Sequence, residues 1–230
     1  AVVMSDPASD AASMSAATTR PAWLADPERA GEHERWLVEL TDIPTAAGHE
    51  HRVIAWIERW AAERGLAVTA DGHGNRLIRV VEGDADVPPI VFQGHLDHPA
   101  FVVEDRAADG SLDLSFRGGV KDCYFADAPI VLHAADGTRH AATVTATEAL
   151  EPLRRCRAVL EDPAADVPPG TIGTWLLPAA AIEGDRLHAP AVDDLAGVAA
   201  ALAAADACRH RGVTRSVQVF LTRAEEVGFV

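Results

Sequence analysis

Two stretches near the start of the chain, residues 32–40 and 49–65, repeat apolar residues at the three- and four-residue spacing of an amphipathic helix. The apolar positions are Trp36, Leu37, Leu40, Val53, Ile57, Trp60 and Ala61. Pro44 and Gly48 interrupt the pattern between the two stretches, and Gly65 supplies a stop after the second. The pattern therefore predicts two consecutive helices that pack against a core.

The next segments predict strands. Residues 66–70 and 76–81 flank a glycine-containing turn, as the two arms of a hairpin do. Residues 88–92, PPIVF, form a short apolar run that is typical of a strand covered on both faces, so we expect a central strand there. His95 then follows at the carboxyl end of that strand, the edge where ligands collect in open α/β sheets.

Between Phe101 and about His188 the pattern changes from mixed to purely β. Apolar residues alternate with polar ones around residues 111–116, and two further runs flank the turn at Asp136-Gly137. Glycines and prolines separate short strands throughout, and helical spacing is nearly absent. This composition favours a small antiparallel β-barrel or sandwich inserted into an α/β core.

The α/β pattern resumes with an alanine-rich helix that ends near Gly212, followed by the strand SVQVFLT at residues 216–222. The predicted organisation has three parts. They are a disordered leader at 1–30, an α/β core at 31–100 and 188–230, and an inserted β domain at 101–187. A sheet strand without a following helix leaves one face uncovered, so we expect the core to be incomplete at its C-terminus.

Charge and cysteine content narrow the function classes. The chain has 20 basic and 35 acidic residues, a formal charge of −15, which argues against nucleic acid as a partner. Its three cysteines are widely spaced and form no Cys-x-x-Cys pattern, which indicates a reducing compartment. No window approaches the roughly 18 apolar residues of a membrane span. We therefore expect a soluble, cytoplasmic protein without membrane or nucleic-acid partners.

Three polar sites follow strands or precede a helix: His95 with Asp97, Asp193 with Asp194, and Glu225 with Glu226. Taken singly, each has an ordinary explanation as a polar turn, a helix cap or solvated surface. Folding of a βαβ-like core would bring all three to one edge. Histidine with carboxylates is the ligand set of a hydrolytic zinc site, and a pair of ions needs one bridging carboxylate.

Five stretches in this order resemble the glutamyl-aminopeptidase-like, or tetrahedral aminopeptidase, family of dinuclear metallopeptidases. They are AAGHE, GHLDHPAFVV, FRGGV, APAVDDLAGVAAAL and TRAEEVGF. The resemblance covers residues 32–230 and implies a mixed-sheet α/β zinc-peptidase core interrupted by an inserted antiparallel β-barrel-like domain. It also implies an enzyme that removes N-terminal residues from peptides and assembles as a homo-oligomer through the inserted domain.

The resemblance assigns roles residue by residue. His95 and Glu226 are metal ligands, Asp193 bridges two divalent ions, and Asp97 orients the His95 ring. Glu225 is the general base that exchanges a proton with water and the leaving amine. The ions are expected to be zinc, with cobalt or manganese as alternatives. The family also implies a cis peptide bond between Asp193 and Asp194.

Two departures from the family pattern change these expectations. His98 stands where relatives carry an acidic residue, which alters amine recognition or pocket shape. The family's further aspartate and histidine, downstream of the two glutamates, have no counterpart before Val230. The 230 residues alone are therefore expected to hold metal weakly and to have little peptidase activity. Among the other histidines, His188 is the one near the aspartates.

Two alternatives stay open. One is a related metallo-carboxypeptidase or deacylase, although the long β insert after His95 favours the aminopeptidase. The other is a non-catalytic, truncated relative that acts in peptide binding or assembly.

Overall fold

The computed structural model describes residues 27–150 and 152–228. Most of the predicted leader, residues 1–26, lies outside this part of the chain. The last four leader positions differ from the prediction, because α1 (Pro27–Thr41) begins at Pro27. Proline suits the first turn of a helix, where its fixed φ is already helical and no intrahelical partner awaits its missing N–H.

Helices α1 and α2 (His51–Glu63) pack through tryptophans on their apolar faces. The ring centroids of Trp36 and Trp60 lie 5.4 Å apart in an edge-to-face arrangement. The guanidinium of Arg64 lies over both rings, at 4.6 and 4.7 Å from their centroids. These tryptophans are core residues, as the helical spacing predicts.

Four strands form the sheet of the α/β part, in the order β1-β2-β12-β3. They are β1 (Val68–Ala70), β2 (Arg76–Val81), β3 (Ile90–His95) and β12 (Val217–Thr222). β1, β2 and β12 pair antiparallel, whereas β12 and β3 run parallel. The sheet is therefore mixed.

The predicted central position of β3 is wrong for the described part of the chain. β3 lies at the edge of the sheet, and Val91 on it is 49% exposed. A short β-branched run fits an edge strand and a central strand equally well, because a strand's own composition does not specify how many neighbours it has. β12 takes the inner position beside it.

Six strands that follow β3 along the chain close into a barrel in the order β4-β5-β8-β7-β6-β9. They are β4 (Ala100–Arg106), β5 (Leu112–Arg117), β6 (Pro129–His133), β7 (Arg139–Glu148), β8 (Arg154–Leu160) and β9 (Ile172–Trp175). The barrel interior has an aromatic cluster with ring centroids 4.8 to 5.9 Å apart, made of Phe101, Phe116, Phe125 and Trp175. Closure gives each of these six described strands a partner on both sides.

A two-stranded hairpin, β10 (Ala181–Glu183) and β11 (Arg186–His188), follows the barrel as a separate sheet. The chain then enters α3 (Leu195–His210), which packs against the sheet and against α1. After β12 the chain forms a 3₁₀ turn at Glu225–Val227. No helix in the described ranges has both the length and the apolar character needed to cross a membrane.

Candidate metal centre

The parallel pairing of β3 and β12 brings two of the three polar sites together. His95 is the register partner of Thr222, and the Leu96 N–H donates to the Thr222 carbonyl at 2.9 Å. The segments that follow the two strands therefore leave the sheet side by side. This edge is where the sequence predicts ligand-binding side chains.

His95, Asp193 and Glu226 each offer one ligand atom, and the three atoms lie within 4.8 Å of one another. His95 Nε2 is 3.2 Å from Asp193 Oδ1. The His95 side chain is 12% exposed, whereas that of Asp193 is 82% exposed. One imidazole and two carboxylates in this arrangement are a donor set suited to zinc or another divalent ion, and they are open to solvent on the Asp193 side.

Asp97 is fully buried and joins two of the segments. Its carboxylate accepts hydrogen bonds from the backbone N–H groups of Glu225, at 3.1 Å, and Glu226, at 2.9 Å. Its Oδ1 also lies 3.4 Å from His95 Nδ1, while its main-chain oxygen lies 3.2 Å from the same nitrogen. Asp97 thus fixes both the His95 ring and the start of the Glu225–Val227 turn.

The Asp193-Asp194 peptide bond is cis, as the family resemblance implies. Asp194 directly precedes α3, but its side chain makes no capping hydrogen bond with the helix. Its Oδ2 instead accepts the His95 N–H at 3.1 Å. Gly197 leaves room for this carboxylate, because a Cβ at Gly197 would lie 1.9 Å from Asp194 Oδ1. The helix-cap explanation of the aspartate pair therefore does not hold for Asp194.

Glu225 borders a shallow groove of about 300 Å³ beside His95. Its Oε2 lies 3.9 Å from His95 Nε2, and its side chain is 44% exposed. The carboxylate is thus near the ligand atoms yet reachable by water and by a substrate. That position suits a group that exchanges protons.

Burial and neighbouring charges shift the ionisation of the site. Burial alone would lower the pKa of His95, but the hydrogen bond and charge of Asp97, with the charges of Asp194 and Glu225, raise it to about 9. Burial raises the pKa of Glu226 to about 7, and the nearby carboxylates add to this effect while His95 opposes it. Burial also acts to raise the pKa of Asp97, yet its hydrogen bonds from His95, Glu226 and Glu225 lower it. The cluster is rich in negative charge, which a bound cation would neutralise.

An ion pair between the buried Glu50 and the partly exposed Arg223, which the sequence did not predict, holds the segment before the two glutamates. Glu50 is fully buried, and its Oε2 accepts from Arg223 Nε at 2.9 Å and from Arg223 Nη2 at 2.7 Å. Its Oε1 accepts from the N–H groups of Ala224, at 3.1 Å, and Gly48, at 2.9 Å. Ala224 has φ +56°, so this carboxylate supports a left-handed residue just before Glu225.

His98 lies beside the candidate metal centre, whereas His188 lies outside it. The His98 Nδ1 makes a 2.5 Å hydrogen bond with the Asp193 carbonyl, which fixes the main chain at that aspartate. Burial lowers the pKa of His98, and the hydrogen bond to Asp193 opposes that effect. His188 is exposed at the end of β11, pairs with Ala181, and is not part of the metal-binding group.

No protein-family model and no curated protein matches the chain. Solved structures do match it, among them several aminopeptidases. An aminopeptidase from the archaeon Desulfurococcus kamchatkensis superposes with a TM-score of 0.68 at 20% identity, over 87% of this chain and 58% of that one. A TET aminopeptidase from the marine sediment archaeon Thaumarchaeota archaeon SCGC AB-539-E09 gives 0.68 at 19% identity, over 86% and 60%.

The Pyrococcus horikoshii TET1 peptidase, which can assemble into a tetrahedron or a large octahedral shell, gives a TM-score of 0.63 at 20% identity, over 85% of this chain and 62% of that one. This chain therefore spans about three fifths of the length of each of these structures. At such identities the likeness concerns the fold. The chain has, over most of its length, the fold of the corresponding part of these peptidases.

Proposed function

We propose that this chain supplies metal ligands and the general base of a metal-dependent aminopeptidase. The observation that carries the proposal is the convergence of His95, Asp193 and Glu226, with ligand atoms within 4.8 Å, beside the solvent-accessible Glu225. The fold shared with aminopeptidases supports the same activity. We further propose two divalent ions, zinc first with cobalt or manganese as alternatives, bridged by Asp193.

Divalent ions in such a site supply Lewis acidity, which lets water ionise near neutral pH and polarises a scissile carbonyl. The roles of the chain's own residues follow from their positions. His95 and Glu226 would bind the ions. Asp97 keeps the His95 imidazole in the tautomer whose Nε2 is free to bind a metal. Glu225 accepts a proton from the attacking water and delivers it to the leaving amine. The open carboxylate of Asp193 is accessible for bridging.

The proposal also covers the domain organisation of the chain and its assembly into a homo-oligomer. We propose that residues 101–187 form a domain inserted between the core segments 31–100 and 188–230. Homo-oligomer formation is supported by the assemblies named for the Pyrococcus horikoshii peptidase and by exposed apolar residues on the barrel, Tyr124, Leu176 and Leu177. The three cysteines are free, which fits a reducing compartment such as the cytoplasm.

The test is metal binding followed by peptide hydrolysis. The purified chain should bind zinc in equilibrium dialysis with metal analysis, and a chelator should remove the ion. At high protein concentration, slow cleavage of an aminoacyl anilide should require metal and should fall about 100-fold in Glu225→Gln, which keeps the shape but removes the base. Absence of zinc binding, or cleavage that survives both the chelator and Glu225→Gln, would refute the proposal.

A substrate panel separates the enzyme alternatives. An aminopeptidase cleaves substrates with a free amino terminus and leaves N-acetylated ones intact. A deacylase removes the acetyl group, and a carboxypeptidase requires a free carboxyl terminus instead. Zinc binding without cleavage of any member of the panel would favour the non-catalytic alternative.

A further inference from the structure

A cavity of about 250 Å³ lies where the α1–α2 connection meets the barrel and the segment before α3. The basic side chains in its wall are Arg52, His98, His133 and Arg139. Its acidic lining residue is Asp42, which accepts the Ala180 N–H at 3.0 Å. A wall with two guanidiniums is notable in a chain whose formal charge is −15. The local field of the cavity is opposite in sign to that of the whole protein.

Arg52 is a half-buried cation that has no counter-ion among residues 27–150 and 152–228. Its Nη2 donates to the carbonyls of His133 and Ala134, both at 2.8 Å, so the guanidinium is held at the barrel end of the cavity. Within the described ranges, no carboxylate lies within 4.0 Å of it and its Nε and Nη1 have no acceptor. Burial lowers the pKa of Arg52. A partly desolvated guanidinium with free donors favours an anionic ligand.

Arg139 and His133 complete this wall from neighbouring strands. They are register partners on β7 and β6, and the exposed Arg139 forms no ion pair in the described part of the chain. His133 Nε2 lies 2.9 Å from Thr174 Oγ1. Burial, together with the charges of Arg139 and Arg52, lowers the pKa of His133 to about 4, so the ring is neutral near pH 7. Both guanidiniums line the cavity, and neither has an ion-pair partner among the described residues.

The cavity adjoins the candidate metal centre through His98. This ring forms part of the cavity wall while its Nδ1 is hydrogen-bonded to the Asp193 carbonyl. Pro190 and Ala191, which precede the aspartate pair, line the same space. A group bound in the cavity would therefore lie one side chain away from the segment that carries Asp193.

We propose that this cavity is a carboxylate-binding subsite, in which Arg52 and Arg139 bind the carboxylate of a short peptide held at the adjacent metal centre. The inference rests on the proposed peptidase function and narrows its substrate class to short peptides. A guanidinium binds a carboxylate through two parallel N–H···O bonds, and Arg52 has donors left for this. The cavity has room for one terminal residue, and its position next to the metal centre limits a peptide that reaches both sites to a few residues.

The test measures peptide binding to the full chain without added metal, so that it does not depend on catalysis. Trialanine and trialanine amide are titrated separately, and the His133 ring signals in NMR spectra report binding in the cavity. The acid should bind at least about tenfold more tightly than the amide, because only the acid carries the carboxylate. Equal affinities, or no shift of the His133 signals with either peptide, would overturn the proposal.

Two variants make the test specific. Arg139→Gln, at an exposed position that requires no refolding of the core, should abolish the preference for the acid. Arg79→Gln removes the same charge from an exposed position on β2 with no ion-pair partner among the described residues, and it should keep the preference. A preference that persists in Arg139→Gln, or that disappears equally in Arg79→Gln, would refute the subsite.

A third peptide, Ala-Asp-Ala amide, distinguishes the source of the carboxylate. Given the preference for trialanine over its amide, weak binding of the aspartyl amide shows that the subsite is restricted to the C-terminal carboxylate, whereas tight binding of the aspartyl amide shows that it accepts an acidic side chain as well. Both outcomes support carboxylate recognition.

Zinc binding by Arg139→Gln, measured in parallel, should equal that of the wild type. Loss of the peptide preference with retained zinc binding therefore separates this subsite from the metal centre itself.

Discussion

His95 Nε2 lies 3.2 Å from Asp193 Oδ1, although 98 positions separate the two residues along the chain. His95 is the last residue of β3, and Asp193 lies two positions before α3, with the six barrel strands between them in the sequence. The chain enters the barrel after His95. It then returns to the sheet, where Asp193 lies at the same sheet edge as His95. This contact is the starting point for the predictions on metal binding.

His95→Ala should weaken zinc binding by about 100-fold or more. The change removes the mostly buried imidazole of the ligand group, and loss of groups that merely support ligands already costs 10- to 100-fold in comparable sites. Competition with a chromophoric chelator measures the affinity. His51→Ala, at an exposed histidine on α2 outside the metal group, is the matched control and should bind as the wild type does. Equal affinities in the two variants would contradict the prediction.

Asp97→Asn should weaken metal binding by about 10- to 100-fold while keeping the fold. The amide has the size of the carboxylate, but it has one acceptor oxygen for two backbone donors and loses the charge beside His95 Nδ1. The unfolding free energy should also fall, by about 1–3 kcal/mol, because a buried donor is left unsatisfied. Urea denaturation and chelator competition provide the two measurements.

Asp166→Asn is the control for that change, since Asp166 is exposed and has no polar partner among the described side chains. Asp166→Asn should change neither the metal affinity nor the unfolding free energy. If Asp97→Asn affected stability alone and left metal affinity unchanged, Asp97 would be a structural residue and its proposed orienting role would be wrong.

Glu50→Gln should lower the unfolding free energy by about 3 kcal/mol. The substitution leaves the Arg223 guanidinium without its buried counter-ion, and breaking such a pair is costly because one charge stays uncompensated. Metal affinity should fall too, because Glu50 holds Ala224 immediately before Glu225 and Glu226. A double-mutant cycle with Arg223→Gln measures the coupling, and additive effects would show that the two residues act independently.

His133 should make the protein less stable as the pH falls from about 6.5 to about 4. Its pKa is lowered from 6.5 to about 4 in the folded chain, by burial first and then by Arg139 and Arg52. Between these values the unfolded chain binds a proton that the folded chain does not, so acidification favours unfolding. Urea denaturation at a series of pH values should show a shallower decline for His133→Asn. An unchanged pH dependence in that variant would contradict the prediction.

Much of the fold is predictable from sequence because it depends on local periodicity. The helical spacing in residues 32–40 and 49–65 predicts α1 and α2, and the alternation around Leu112 predicts a strand of the barrel. The edge position of β3 was not predictable, because the number of neighbours of a strand is a tertiary property. The start of α1 at Pro27 was missed because its flanking sequence resembles a disordered leader.

The residues of the candidate site likewise fall into those that the sequence predicted and those that it did not. His95, Asp193 and Glu226 were selected from sequence and lie together, although their roles as ligands stay predictions. The pairing of Glu50 with Arg223 was not found, because no short motif marks a contact between residues 173 positions apart. The cavity was missed for a similar reason, since its two arginines come from a helix and a barrel strand that are adjacent only after folding.

The register between β3 and β12 carries a consequence for the candidate metal centre. Side chains alternate between the two faces of a strand, so a slip of one residue would turn the wrong face of β12 toward α3 and displace Thr222 from His95. The buried residues Val217, Val219 and Leu221 specify the correct alignment by their preference for the core. The position of the candidate metal centre therefore depends also on aliphatic residues that are not among its ligand atoms.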